Sequence, residues 1–143
     1  MIEIKNLNEH HIEEILAVWR GSGLSIRPQG RDAIPELEKQ MRFEGSIFLG
    51  AFEGKELIGV ALLNHEGRKG WVNRLAVLPA YRRRGIASRL VEAGETALRQ
   101  AGMKVICTLV EDWNENSLKF MQKLGYQLHK DIFYLSKRDA PED

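Results

Sequence analysis

Cysteine is almost missing from this 143-residue chain, with Cys107 the only one. That excludes an intramolecular disulfide and a thiolate metal cluster, and it fits a reducing compartment. Long apolar runs are missing too: no stretch approaches the roughly 18 residues a membrane-spanning helix needs. The N-terminus has no basic segment leading into a long apolar one, so a cytoplasmic protein without a membrane partner is expected. Neither sign of charge dominates, since 21 Lys and Arg stand against 20 Asp and Glu for a formal net charge of +1. A nucleic-acid binder would more often carry excess positive charge over a whole face, so no nucleic-acid partner is expected. The chain contains no Gly-x-x-x-x-Gly-Lys, no Gly-x-Gly-x-x-Gly and no His-Glu-x-x-His, the patterns that would mark a phosphate loop, a dinucleotide fold or a zinc hydrolase. His10 and His11 are adjacent, so a helix would point them in different directions, and no metal is expected.

What is present suits one soluble domain. Hydrophobic residues make up 43% and charged residues 29%, ordinary values for a globular chain of single-domain size, so residues 1–143 are expected to form one domain. Ile2-Glu3-Ile4 alternates as a strand, and Asn8 introduces a helix with Ile12, Ile15, Leu16 and Trp19 on one face. A loop from Leu24 to Gly30 precedes a second helix carrying Ile34, Leu37 and Met41. Strands over 46–52, 57–64 and 71–77, joined by Gly-containing turns, read as an antiparallel meander. A helix from about Ile86 to Ala101 and a strand over 104–110 follow, a β-α-β unit whose outer strands should run parallel. Gly94 within that helix reads as a point of close packing on the sheet. A helix over 114–124 closed by Gly125 and a last strand over Ile132–Leu135 complete the chain. The class is α/β (α+β), with a central mixed sheet flanked by helices.

One stretch carries chemistry. Between the strand ending at Val77 and the helix beginning near Gly85 stand Arg82, Arg83 and Arg84, with no acidic residue among them. Backbone N–H groups at a helix start lack intrahelical acceptors and sit at the positive end of the dipole, which suits a bound phosphate. Gly85 and Ala87 would let the backbone come close to such a ligand.

Arg82-x-x-Gly85-x-Ala87, preceded by Leu75-Ala76-Val77-x-Pro79, resembles the [Gln/Arg]-x-x-Gly-x-[Gly/Ala] signature of the GNAT-type N-acetyltransferase superfamily. A second stretch, from Asn114 through Ser117 and Met121 to Gly125-Tyr126, is similar to that family's Asn-x-x-[Ala/Ser]-…-Gly-[Phe/Tyr] helix. The resemblance implies a GNAT-like domain and transfer of an acetyl group from acetyl-CoA to a small-molecule or peptide amine, in a monomer or homodimer. It places acetyl-CoA against Leu75, Ala76 and Val77, the segment Arg82, Arg83, Arg84, Gly85, Ile86, Ala87 and Ser88, and Asn114, Ser117 and Met121. The Val77 N–H would meet the thioester oxygen, and the pantetheine arm would pair with the backbone of Ala76 and Val77.

The chain departs from the family pattern at two points. The strand Trp71–Val77 carries no carboxylate where many relatives place one, leaving Glu111 and Asp112 as base candidates or as solvated loop charges. Met121 stands where many relatives have a tyrosine that protonates the departing thiolate, which methionine cannot do. Met121 and Tyr126 also match the C3 and C″ positions of a Schellman cap, so packing is one role for each, with Tyr126 a second acid candidate. Asn114 either caps its helix or holds the pantetheine amides. Arg27 and Arg31 in the loop after the first helix, with Arg74 and Trp71 on the third meander strand, either line an acceptor pocket for an anionic or zwitterionic amine or are ordinary solvated and packed residues. A non-catalytic acyl-CoA-binding module is the alternative function.

Overall fold

A computed structural model describes residues 1–143. Strand β1 (Ile2–Asn6) leads through a 3-10 turn (Glu9–His11) into α1 (Ile12–Ser22). Asn8 caps that turn in a reciprocal box: its Oδ1 accepts from the His10 N–H at 2.9 Å, and its own N–H donates to His11 Nδ1 at 3.0 Å. Helix α2 (Ile34–Arg42) begins with Pro35 in its first turn, where a missing N–H costs nothing. The meander follows as β2 (Ser46–Glu53), β3 (Glu56–His65) and β4 (Gly70–Val77), then α3 (Ile86–Gln100), β5 (Ile106–Thr108) and α4 (Glu115–Lys123).

The five strands lie in sequence order in one sheet, antiparallel from β1 to β4 and parallel between β4 and β5. Apolar residues alternate between two cores. On one face α1 and α2 bury Ile15, Trp19 and Leu37 against Phe48, Val60 and Ala76. On the other α3 buries Ile86, Leu90 and Leu98 against Ile58, Leu63 and Val72. At the centre of α3 a Cβ on Gly94 would collide with the Leu63 side chain, so the glycine is what lets helix and sheet approach. No helix is long and apolar enough to cross a membrane.

Two expected strands differ. The fifth is limited to Ile106–Thr108 rather than 104–110, because it pairs only with Gly70–Val72 before β4 and β5 diverge. The last, Ile132–Leu135, is not formed. Residues 127–139 make no backbone–backbone hydrogen bond, and Ile132, Phe133, Tyr134 and Leu135 are 68–86% exposed. Strand-forming side chains do not make a strand without an edge to pair with, and here none is engaged.

Candidate functional site

The chain leaves β4 through a 3-10 turn, Pro79–Tyr81, and then winds left-handed twice, at Arg83 (φ 65°) and Gly85 (φ 73°). This winding gathers successive N–H groups into a concavity. The backbone N–H groups from Arg83 through Ser88 donate to nothing within the chain, and no side chain caps α3. A Cβ built on Gly85 meets no protein atom within 4 Å, so the space in front of the helix start is open. Free donors, an open approach and the positive end of a 15-residue helix fit a pyrophosphate.

The three arginines do not act alike. The Arg82 Nε donates to the Val77 carbonyl at 3.2 Å and its Nη2 to the Ser22 carbonyl at 3.0 Å, so its guanidinium clamps the loop to the ends of β4 and α1 instead of facing a ligand. Arg84 stacks 5.2 Å from the centre of the Tyr81 ring and stands 4.0 Å from Glu53. Arg83 is exposed, and its guanidinium is the one of the three without a hydrogen bond or ion pair in the chain. The sequence suggests three equivalent charges; the fold assigns one to scaffolding and turns another aside.

Beside this loop, β4 has a free edge. Its pairing with β5 ends at Val72, so the residues from Asn73 to Val77 have no strand on that side. The Leu78 N–H donates to the Ile58 carbonyl at 2.9 Å, and Val60 is opposite Ala76. Antiparallel alternation then turns the Ala76 backbone toward β3 and the Leu75 and Val77 backbones toward the free edge. An extended chain laid along β4 would therefore pair with Leu75 and with the Val77 N–H. Ala76, expected to share in that pairing, is already bonded to β3, and the Val77 carbonyl is taken by Arg82.

In α4, Asn114 is a helix cap: its Oδ1 accepts from the Ser117 N–H at 3.2 Å. Met121 is 6% exposed, and its carbonyl accepts from the Tyr126 N–H at 3.0 Å while the Gly125 N–H reaches Gln122, the two bonds of a Schellman motif. The Tyr126 hydroxyl donates to Glu95 Oε2 at 2.7 Å, and burial together with that carboxylate raises its pKa above the ordinary tyrosine value. Tyr126 lies beside Lys104–Thr108, level with the start of β4, roughly 16 Å along the strand from Val77 at 3.3 Å per residue. That geometry removes it as an acid for a leaving group near Val77. Glu111 and Asp112 are exposed in the turn between β5 and α4.

The candidate acceptor residues meet an acidic partner, Asp32, that directly follows Arg31 in the chain. A bulge at Asn73 resets β4, so that Trp71, Arg74 and Ala76 share the face covered by α1. There Arg74 Nη2 binds Asp32 Oδ2 at 3.0 Å, its guanidinium carbon lies 4.7 Å from the Trp19 ring centre, and its Nη1 reaches the Ser25 carbonyl at 3.4 Å. Asp32 is 3% exposed and also accepts from the Arg27 N–H at 2.7 Å. Burial lowers the Arg74 pKa, Asp32 opposes that shift, and Arg31 and Arg27 add to it. Arg74 is thus a compensated charge that fastens the loop after α1 to the sheet, not an open cation for a ligand. The Arg27 guanidinium donates to the Pro141 carbonyl, while that of Arg31 is exposed and engages no carboxylate. Trp71 is half-buried at the start of β4. No short sequence window could have paired Asp32 with a residue 42 positions away. No cluster of His, Cys, Asp and Glu is placed to hold a metal ion.

Comparison with known proteins agrees with this geometry. Residues 10–126 match the acetyltransferase (GNAT) family. PaiA N-acetyltransferase from Thermoplasma acidophilum, solved with coenzyme A, is similar in fold with a TM-score of 0.81 at 22% identity, over 90% of this chain and 91% of that one. Aminoglycoside N-acetyltransferase AAC(6')-Iy, also solved with CoA, gives 0.78 at 22% identity over 96% and 95%. A transcriptional regulator from Bacillus halodurans C-125 gives 0.80 at 15% identity over 96% and 99%. With the signature residues on a bare helix start and an open strand edge beside them, the chain belongs to the GNAT acetyltransferase family, whose co-substrate is acetyl-CoA.

Proposed function

We propose that this chain, as one cytoplasmic domain spanning residues 1–143, moves the acetyl group of acetyl-CoA to a primary amine by direct attack in a ternary complex. The observation that carries the proposal is the continuity between the unbonded N–H groups of Arg83–Ser88 and the unpaired edge of β4 at Leu75 and Val77. The first suits the pyrophosphate and the second suits the extended arm that ends in the thioester.

In this reading the neutral amine nitrogen attacks the acetyl carbon, the C–S bond breaks, the CoA thiolate leaves, and the acylated nitrogen gives up its extra proton to the thiolate or to water. The Val77 N–H, turned away from β3, donates to the carbonyl oxygen as it gains negative charge, where such a donor contributes most. Holding both reactants in line removes much of the entropic barrier. An amine with a pKa near 10 is reactive in only about one molecule in a thousand at neutral pH, so a proton must first be lost. Glu111 and Asp112, exposed just past β5, are the carboxylates assigned to that step directly or through water. The leaving thiolate needs little help, because an alkyl thiol has a pKa of about 8.5. Met121 can therefore serve packing alone.

With Arg74 neutralised by Asp32, a preference for an anionic or zwitterionic acceptor rests on Arg31 and, less directly, on Arg27. The test is thiol release from acetyl-CoA over a panel of amino acids, acidic and basic peptides, aminosugars and polyamines. Turnover on any amine supports the enzyme. Calorimetric binding of CoA without turnover on any of them would instead support the non-catalytic module.

A further inference from the structure

We propose that Arg82 is a positioning residue and not a nucleotide ligand, a role that rests on the transferase reading: it holds β4 and the loop after α1 in one fixed register. The 3-10 turn Pro79–Tyr81 redirects the chain after β4, and the Arg82 side chain reaches back across that turn. Its Nε donates to the Val77 carbonyl at 3.2 Å and its Nη2 to the Ser22 carbonyl at 3.0 Å. No carboxylate pairs with the guanidinium, so both of its partners are backbone oxygens.

Each oxygen belongs with a different reactant. The peptide between Val77 and Leu78 is held at both ends, because its N–H donates to the Ile58 carbonyl at 2.9 Å and its oxygen accepts from Arg82. The Val77 N–H, assigned above to the thioester oxygen, lies between that peptide and Ala76, which β3 also holds. Its direction therefore follows from theirs, and direction is what gives such a donor its effect on developing charge. Ser22 is the last residue of α1, where carbonyls lack a partner within the helix and a cation suits the negative end of the dipole. The segment assigned to the acceptor starts at the next residue. The end of α1 also lies against the donor side, since a Cβ on Gly21 would meet the Leu78 side chain. Farther along the same loop, Arg74 binds Asp32 and reaches the Ser25 carbonyl. Two arginines that flank Leu75–Val77 in sequence thus strap one loop to the strand at two places. A planar guanidinium fixes two acceptor directions at once, which a lysine ammonium does not.

The experiment uses the whole chain. Arg82 is exposed, so Arg82→Met removes both donors without touching the core. With an amine that the parent turns over, Arg82→Met should lower kcat at saturating acetyl-CoA by about ten- to a hundredfold, the scale of a misplacement of roughly 1 Å. Affinity for CoA by calorimetry should fall less than kcat does. The opposite split, weaker CoA binding with kcat retained at saturation, makes Arg82 a nucleotide ligand and overturns the proposal. Arg82→Lys keeps the charge on one nitrogen and should stay short of parental kcat; full activity in it overturns the two-carbonyl bridge. A readout without turnover stands apart from the transferase reading. Hydrogen exchange at the amides of residues 23–32 should slow when CoA is added to the parent, and CoA should not slow it in Arg82→Met. No slowing in the parent, or equal slowing in both, overturns the proposal. Slowing in the parent alone, in a chain that acetylates no amine, supports the clamp and removes the transferase reading instead.

Discussion

Arg74 on β4 and Asp32 in the loop after α1 form a buried ion pair at 3.0 Å, with the guanidinium stacked over Trp19. The pair joins the loop after α1 to β4, the strand to which the proposed function assigns the acyl arm. Taking two charges out of water is costly, and removing one partner leaves the other charge buried alone, a loss of about 3–5 kcal/mol. Asp32→Asn retains an oxygen for the Arg27 N–H while removing the charge. We expect Asp32→Asn and Arg74→Met each to lower the urea midpoint sharply. The double variant should recover about 1–3 kcal/mol relative to the sum of the two. Additive losses would show that the pair is not coupled.

Gly85 separates two contributions that are usually entangled. Its φ of 73° disfavours any side chain by roughly 1–2 kcal/mol, whereas a Cβ there touches no protein atom. Gly85→Ala should therefore cost that much stability and no more. Gly85→Glu should lose a similar amount, and in addition abolish CoA binding by filling the phosphate space with a like charge. Calorimetry on the two variants and the parent decides it: CoA binding by Gly85→Glu at parental affinity would put the nucleotide elsewhere.

Tyr126 and Glu95 provide a test that depends on pH. Because burial and the carboxylate raise the hydroxyl's pKa, the folded chain holds that proton more tightly than the unfolded chain does. The contribution to stability is complete below the ordinary tyrosine value of about 10 and is lost as pH rises past it, so nothing changes near neutrality. Ultraviolet titration of the folded chain should show Tyr126 ionising late, as should Tyr81, whose pKa is raised by hydrogen bonding to Glu53, and Tyr126→Phe should remove the Tyr126 step while leaving that of Tyr81. The substitution should cost about 0.5–1.5 kcal/mol for the lost hydrogen bond and leave turnover unchanged. A large fall in turnover would return Tyr126 to the chemistry.

Much of this was legible in local sequence because it follows from local rules. Spacing alone places Met121, Gly125 and Tyr126 in a Schellman cap, and the two bonds of that motif are both present. Gly94 marks the close approach of α3 to the sheet for the same reason: a glycine inside a helix costs propensity and needs a packing cause. The run Arg82–Ser88 is readable as an anion site because strand, turn and helix start are adjacent in the chain. What was not legible depends on distant partners. Arg82 reads as a ligand charge until Ser22 appears beside it, 60 residues away. Arg74 reads as an open cation until Asp32 does. Ile132–Leu135 has the side chains of a strand, but the pairing that would make it one is not determined within its own window.

The last prediction concerns the acceptor. Arg27 and Arg31 sit in the loop that Asp32 fastens over the sheet, and they differ in freedom: the Arg27 guanidinium is bonded to the Pro141 carbonyl, whereas that of Arg31 is exposed. If the acceptor carries a carboxylate or phosphate beside its amine, Arg31 is the group with an open planar fork to receive it. A charge-assisted hydrogen bond contributes about 1.5–3 kcal/mol, so reversing the charge with Arg31→Glu should raise the acceptor KM by about tenfold or more. Arg27→Glu should have the smaller effect, since that guanidinium must first leave Pro141. Neither change should alter acetyl-CoA affinity, because the unbonded N–H groups of Arg83–Ser88 belong to a different loop. Kinetics with the best acceptor from the amine panel, measured on both variants at saturating acetyl-CoA, give the answer. An unchanged KM in Arg31→Glu, or a polycation as the best acceptor, would remove the anionic preference while leaving the transferase reading intact.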